Sequence, residues 1–485
     1  MNFGDVMRQA GTEKLTENGA FAYNTVKNSL LDLFGTIGAL RPRTNQEIED
    51  KFEAAFNQDR LLATKMAFYA GNVRGGLGER RTFRIILYWL AKNYPEIVIK
   101  NLELVPHFNR WDSLFECVGT PAEKTMWEMI NKQLDEDEKM AKLGLNCSLL
   151  AKWMPSINTS SKETRSLAQK AMKKLGYLSE RAYRKMLSEL RAYIRVVEKS
   201  MSANQWEDIN YSAVPSYAMK NYGSAFAKHD FERWNEYLSD LKNGKKKVNT
   251  SVLFPYDLVA QVREGHRDVE FELVEEQWKA LPNYITEPVD ILVMADVSGS
   301  MEGRPMNTSI GLAIYFSQRN EGIFKNSYMT FSESPKIMTI DPNTSLRTNV
   351  HEVENRGVGY NTNLEAAFNK VLSLATLYQI KQEDMPKALL VISDMEIDSY
   401  IKYNGLNFVD KMKAKFAEFG YEFPKLICVN CEARQDTFLS QNEDVLYISG
   451  QSASMFRNII KGLNGTSVQL MLETLNDPMY DVVRI

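Results

Sequence analysis

Val289-Asp290-Ile291-Leu292-Val293-Met294-Ala295-Asp296-Val297-Ser298-Gly299-Ser300-Met301 is the stretch from which the rest of the chain is read. Ile291 to Ala295 is apolar without alternation, the pattern of a strand buried on both faces of a parallel sheet. The run stops at Asp-x-Ser-x-Ser, and an apolar helix is predicted soon after, over 306–318. Open α/β sheets bind their ligands at the carboxyl ends of their strands. Asp296 therefore delivers a charge there, and Ser298 and Ser300 deliver neutral oxygens. Hard oxygens suit Mg²⁺, which takes about six of them at about 2.0–2.1 Å and keeps several waters.

Two later stretches complete the pattern. Gly359-Tyr360-Asn361-Thr362-Asn363-Leu364 is a loop entering a helix, and Ala388-Leu389-Leu390-Val391-Ile392-Ser393-Asp394 is a second buried strand ending in a carboxylate. In this order the three resemble the metal-ion-dependent adhesion site (MIDAS) of von Willebrand factor A (vWA) domains. The resemblance implies that Asp296, Ser298, Ser300, Thr362 and Asp394 hold Mg²⁺, or another divalent cation such as Mn²⁺ or Ca²⁺, directly or through water. The chain departs from the pattern in its third loop. Met395 and Glu396 follow Asp394, where many such domains have Asp-Gly.

Around these stretches strands and helices alternate. Strands are predicted near 290–296, 326–331, 336–340, 387–393, 425–431 and 444–448, and helices near 306–319, 363–378, 405–418 and 452–463. Such alternation means a parallel sheet with helices on both faces. Upstream, nearly everything reads as helix, with short polar breaks. A chain of 485 residues is too long for one core. The expected fold class is thus multidomain α plus α/β: a helical domain over 1–285 and a Rossmann-like vWA domain over 286–485. The helix–turn–helix spacing of the first domain suggests a HEAT-like array.

Composition excludes several classes. The net charge is −3, so no global basic field points to nucleic acid, and no run of about 18 apolar residues points to a membrane. The mixed, polar stretch 1–20 does not read as a signal peptide. Four cysteines in so long a chain suggest a reducing, cytoplasmic setting. Cys428-x-x-Cys431 has no second pair to complete a zinc site and reads as core packing. The four histidines form no ligand motif.

Charge is divided unevenly. Residues 1–280 carry 41 Lys and Arg against 37 Asp and Glu, and the remainder carries 18 against 25. Within the mildly basic half, a helix is predicted over 179–201. On it Tyr183, Leu187, Leu190, Ile194 and Val197 share one face, and Arg181, Arg184, Arg191, Arg195 and Lys199 share the other. Lys162, Arg165, Lys170, Lys173 and Lys174 crowd a preceding helix, and Arg74, Arg80, Arg81 and Arg84 crowd the start of another. A cationic stripe on one helix is ordinarily its solvated face. Several in one array suggest a surface for phosphates, since Arg clamps phosphate and stacks on bases. The glycine-rich segment 71–81 lacks the phosphate-loop pattern and reads as a structural turn, with an anion site on the free N–H groups of the helix it opens as the alternative.

The segments Thr16–Ala20, Leu30–Phe34, Arg74–Arg80, Asn109–Asp112, Lys152–Pro155, Tyr183–Leu187 and Val214–Ser216 are similar to an uncharacterised domain-of-unknown-function family of plants, bacteria and phages. The whole resembles the TROVE-domain, Ro-type proteins. That resemblance implies a ring of HEAT-like helices closed by a vWA domain, binding small structured RNAs outside and single-stranded RNA ends in the hole. The expectation is therefore a monomeric, non-catalytic ribonucleoprotein scaffold, with Arg74, Arg80, Arg81, Arg84, Lys170, Lys173, Arg181, Arg184, Arg191, Arg195 and Lys199 as RNA contacts. The alternative is a module that binds a protein partner through the MIDAS metal. No motif positions a general base, so no enzyme is expected.

Overall fold

The computed structural model describes residues 12–194, 197–247, 253–265, 268–285, 290–332, 334–356, 363–397, 408–441 and 445–485. The chain is mixed α/β, mostly helical, with its main sheet in the C-terminal part. Eight strands are described: β1 (Glu13–Leu15), β2 (Phe21–Tyr23), β3 (Ile291–Ala295), β4 (Ser327–Thr330), β5 (Ile337–Thr339), β6 (Ala388–Ser393), β7 (Lys425–Asn430) and β8 (Leu446–Ser449). The six-stranded sheet has the order β5-β4-β3-β6-β7-β8. Every residue of β3, β6 and β8 is buried, as their uninterrupted apolar runs require.

The sheet is not wholly parallel, as the alternation had predicted. β5 pairs antiparallel with β4 at the edge, with Tyr328 opposite Met338. Only a few residues join the two strands, too few for the crossover that parallel neighbours need. From β3 the chain winds outward to β4 and β5, then returns to place β6 on the other side of β3. The winding reverses between β3 and β6, and such a reversal opens a crevice at the carboxyl ends of the two strands.

The first half is nearly all helix among the described residues, with one short hairpin as the exception. β1 and β2 form an antiparallel pair joined by residues 16–20. Asn18-Gly19, with Gly19 at φ +84°, was the available hairpin signal. The structure also adds helices at Asp268–Lys279, Leu346–Arg356 and Ser467–Leu475, which the sequence reading passed over. The helix predicted over 179–201 is two: Glu180–Tyr193, ending at Ile194, and Val197–Ser202. The basic stripe is thus not continuous on one helix, and Arg195 lies outside the described residues.

The first half meets the sheet region both early and late in its course. Near the start of the chain, Tyr23 exchanges backbone hydrogen bonds with Phe438. Gly38 lies so close to Gly450, beyond β8, that a Cβ on Gly38 would stand 2.5 Å from the Gly450 nitrogen. Far downstream, Pro255–Arg263 packs on Arg304–Arg319, where Gly311 lets the Pro255 backbone approach. Arg263 fastens this contact through Glu354 (2.9 Å) and Asn307 (2.8 Å). One apolar core runs from Ala20 through the helices into the sheet. A separate cluster gathers Ile209 to Leu241 with Leu273 around the fully buried Trp234.

Candidate functional site

Asp296 and Asp394 stand at the carboxyl ends of the paired strands β3 and β6, at the point where the winding reverses. The register sets Ala295 against Ile392, and the Asp296 amide donates to the Ile392 carbonyl at 3.2 Å. The Ser393 hydroxyl donates to Asp296 Oδ2 at 2.7 Å and lies 3.5 Å from Asp394 Oδ1, so one serine bridges the two carboxylates. The Ser298 amide donates to Asp296 Oδ1 at 2.9 Å, which curls the loop and turns the serines toward one another. Ser298 Oγ and Ser300 Oγ are 3.2 Å apart.

Both carboxylates are buried: Asp296 is 0% exposed and Asp394 1%. Burial pushes Asp296 up to about 6, against the opposing hydrogen bonds from Ser298 and Ser393, and the neighbouring Asp394 adds to the rise. Asp394 Oδ1 accepts from the Glu396 amide at 3.1 Å, whereas its buried Oδ2 has no hydrogen-bond partner among the described residues. Its nearest counter-charge is Arg434, with Nη1 at 4.0 Å. An unpartnered buried carboxylate oxygen is expensive, and a cation would satisfy it. The donor set therefore fits a hard divalent cation: Asp296 and Asp394 would supply charge, Ser298 and Ser300 neutral oxygen. Thr362 lies outside the described residues. The departure in the third loop acquires a shape here. Met395 has φ +68°, the left-handed region that favours glycine, and its side chain is buried at 1% exposure.

The expected RNA contacts divide. Arg84, Arg184, Arg191 and Lys199 come from three helices and line one cleft of about 960 Å³, together with Lys152 and Trp153. Lys152 is not among the contacts expected from the sequence. It sits in the four-residue helix Leu150–Trp153, too short to carry a stripe, so only the fold shows where it points. A second cleft, of about 560 Å³, holds Arg80, Arg81 and the exposed Tyr88, and shares Arg84 and Glu116 with the first. Arg74, Lys170, Lys173 and Arg181 line neither cleft.

Not every cation in the clefts is available. Arg191 donates to the carbonyls of Ala151 (2.8 Å) and Met154 (2.8 Å) and to Ser156 Oγ (2.9 Å), and so clamps the end of the short helix Leu150–Trp153. Arg84 pairs with Asp112 at 2.7 Å. Outside the clefts, Lys170 pairs with Glu123 at 2.9 Å, and Arg74 donates to the His107 carbonyl. Arg184 and Lys199 are exposed on the cleft wall. The Arg110 guanidinium sits 3.8 Å above the Trp153 ring, so one face of the indole is already covered. Acidic Asp112, Glu116 and Glu198 also line the cleft, which is therefore mixed in charge.

The glycine-rich loop 71–79 is structural. Asn72 Oδ1 accepts from the amides of Arg74 and Gly75, and a Cβ on Gly76 would stand 2.0 Å from the Tyr69 carbonyl. Arg41 holds the buried Glu79 through two contacts, at 2.9 and 2.7 Å.

A family model described as a domain of unknown function (DUF2828) matches residues 16–111 and 124–288, more than half of the chain. The chain belongs to the DUF2828 family. A second domain of unknown function (DUF7788) matches residues 290–475, the part that carries both carboxylates. The chain is also similar to "Uncharacterized protein L728" of Acanthamoeba polyphaga mimivirus, with 28% identity over 511 residues covering 97% of this chain and 88% of the viral protein.

Proposed function

We propose that this DUF2828 protein is a non-catalytic RNA-binding scaffold, in which a HEAT-like helical array carries the RNA and a vWA-type domain holds a divalent cation at a MIDAS. The observation that carries the first part is the convergence of cations distant in sequence. Arg84, Arg184 and Lys199 reach one cleft from separate helices, and Lys152 and Trp153 join them. A stripe that merely solvates its own helix has no reason to meet the cations of others. The cleft pairs cationic walls with aromatic and aliphatic surface from Trp153, Phe115 and Leu187. Phosphates suit the former and unstacked bases the latter. The second part rests on the two buried carboxylates, the two serines and Asp394 Oδ2, which accepts no hydrogen bond among the described residues.

The test is binding of short fluorescent RNAs, single-stranded and tailed hairpin, to wild type and to the Arg184→Glu/Lys199→Glu variant. The reading expects binding that the double variant loses. Equal binding by both proteins would remove the cleft as the site.

A second reading has the cation recruit a protein, its open coordination position accepting a carboxylate from the partner. Asp394 Oδ2, without a hydrogen bond among the described residues, supports it equally, because it argues for the cation and not for RNA. Pull-downs with and without Mg²⁺, and with Asp296→Ala, separate the two. A captured protein indifferent to both changes would exclude a metal bridge.

A further inference from the structure

Arg434 belongs to the carboxyl-end site, and neither reading uses it. Its guanidinium Nη2 donates to the Ser300 carbonyl, its Nη1 stands 4.0 Å from Asp394 Oδ2, and its side chain is 33% exposed. A positive charge is thus already placed among the oxygens that would surround a cation. The guanidinium and a dication would repel one another at this range, and both compete for Asp394.

The backbone around Arg434 is not free to withdraw. The Ala433 amide donates to the Ala39 carbonyl at 2.9 Å, and Arg43 Nε donates to the Ala433 carbonyl at 2.7 Å. Asp436 is held by Arg43 at 2.9 Å and by Lys51 at 3.0 Å, and Lys14 donates to Gln435 at 2.8 Å. All of these anchors lie within the first 51 residues: Lys14 in the hairpin, Ala39 and Arg43 ahead of the helix Asn45–Gln58, and Lys51 on that helix. Only the Arg434 side chain can yield, and Glu432, 3.8 Å from Nη2, offers it another carboxylate.

We infer that Arg434 is a tethered counter-ion, an internal cation that occupies the Asp394 side of the site and must swing aside when a divalent cation binds. Arg434 thereby lowers the affinity for the metal and stabilises the metal-free state. The inference rests on the proposed metal site, and it adds an antagonist to it that the helical half holds in place.

The test is calorimetric titration of the full chain with Mn²⁺ alone, for wild type, Arg434→Gln and Arg434→Met, with Asp296→Asn as the metal-blind control. The methionine variant keeps the aliphatic stem and guards against a packing defect in the glutamine variant. Thermal unfolding in chelator is recorded alongside. Both uncharged variants should bind Mn²⁺ about tenfold tighter than wild type, and in chelator both should unfold at a lower temperature. Wild-type affinity in both variants would overturn the inference and leave the metal site standing. Absence of Mn²⁺ binding in wild type and variants alike would remove the metal site, and the inference with it.

Discussion

Met395 shows how much a single residue of this site must tolerate. Its backbone lies where an L side chain costs about 1–2 kcal/mol, yet its side chain is buried. Met395→Gly relieves the backbone but empties a core position, at about 2–5 kcal/mol. Net destabilisation by chemical denaturation is the expected outcome, and a stabilised variant would show that the strain dominates. Asp296 makes the opposite trade, a buried carboxylate that burial pushes up to about 6 despite the bonds from Ser298 and Ser393. Mg²⁺ should raise the unfolding temperature of wild type and leave that of Asp296→Asn unchanged, as scanning calorimetry would show. Arg191 illustrates what helical periodicity hides. The sequence placed it on a cationic face, but its guanidinium is consumed by the carbonyls of Ala151 and Met154. Arg191→Ala should cost about 1–3 kcal/mol by leaving those acceptors unpaired, and any loss of RNA binding in it would have to be corrected for that instability.

At the scale of elements, the legible parts were those with strong local signals. β3 and β6 were readable because a strand covered on both faces needs an unbroken apolar run, and the oxygens that end them were readable by position. β1 and β2 were missed because three-residue strands carry almost no periodicity. The break after Tyr193 was missed because no Gly or Pro marks it. The antiparallel course of β5 was implied by a connection too short for a crossover. The helix Asn45–Gln58, whose Asn45 and Glu49 border the second cleft, has the clearest local code. Thr44 and Glu47 cap it reciprocally, with the Glu47 carboxylate accepting from the Thr44 amide at 2.8 Å and hydroxyl at 2.7 Å. Those bonds from Thr44, with Arg43 beside them, lower Glu47 from its ordinary 4.5 to about 2. A lowered carboxylate contributes stability that is complete above the unfolded value. The contribution fades as pH falls from about 4.5 toward 2. The unfolding temperatures of wild type and Glu47→Gln should therefore differ at neutral pH and converge near pH 2, and a gap constant with pH would exclude the carboxylate. Thr44→Ala should cost about 1 kcal/mol.

Over the whole molecule, the early helices touch the C-terminal part at Gly38, Tyr69, Gly76 and Asn101, and the chain returns to it at Pro255–Arg263, with the first cleft on the helices between. No periodicity encodes that closure, since it depends on contacts between residues more than 400 positions apart, such as Gly38 with Ser449 and Lys65 with Asp481. The same distance hid the cleft: the individual cations were legible, but which of them meet was not. Gly38→Ala tests the closure. Its Cβ would meet backbone at 2.5–2.6 Å, which cannot rotate away. A loss of about 1–3 kcal/mol, with faster proteolysis between the helices and the sheet, is expected, whereas wild-type behaviour would mean that the contact is looser than described.

The measurement that bears most directly on the account is the salt dependence of RNA affinity. Single-stranded RNA binding should weaken linearly in logarithmic plots against salt, with a slope of about 0.7 per phosphate neutralised. Arg184→Glu/Lys199→Glu should lower that slope by about 1.4 as well as the affinity itself. An unchanged slope in the double variant, or no RNA binding at low salt in wild type, would contradict the account and move the working end to Asp296 and Asp394.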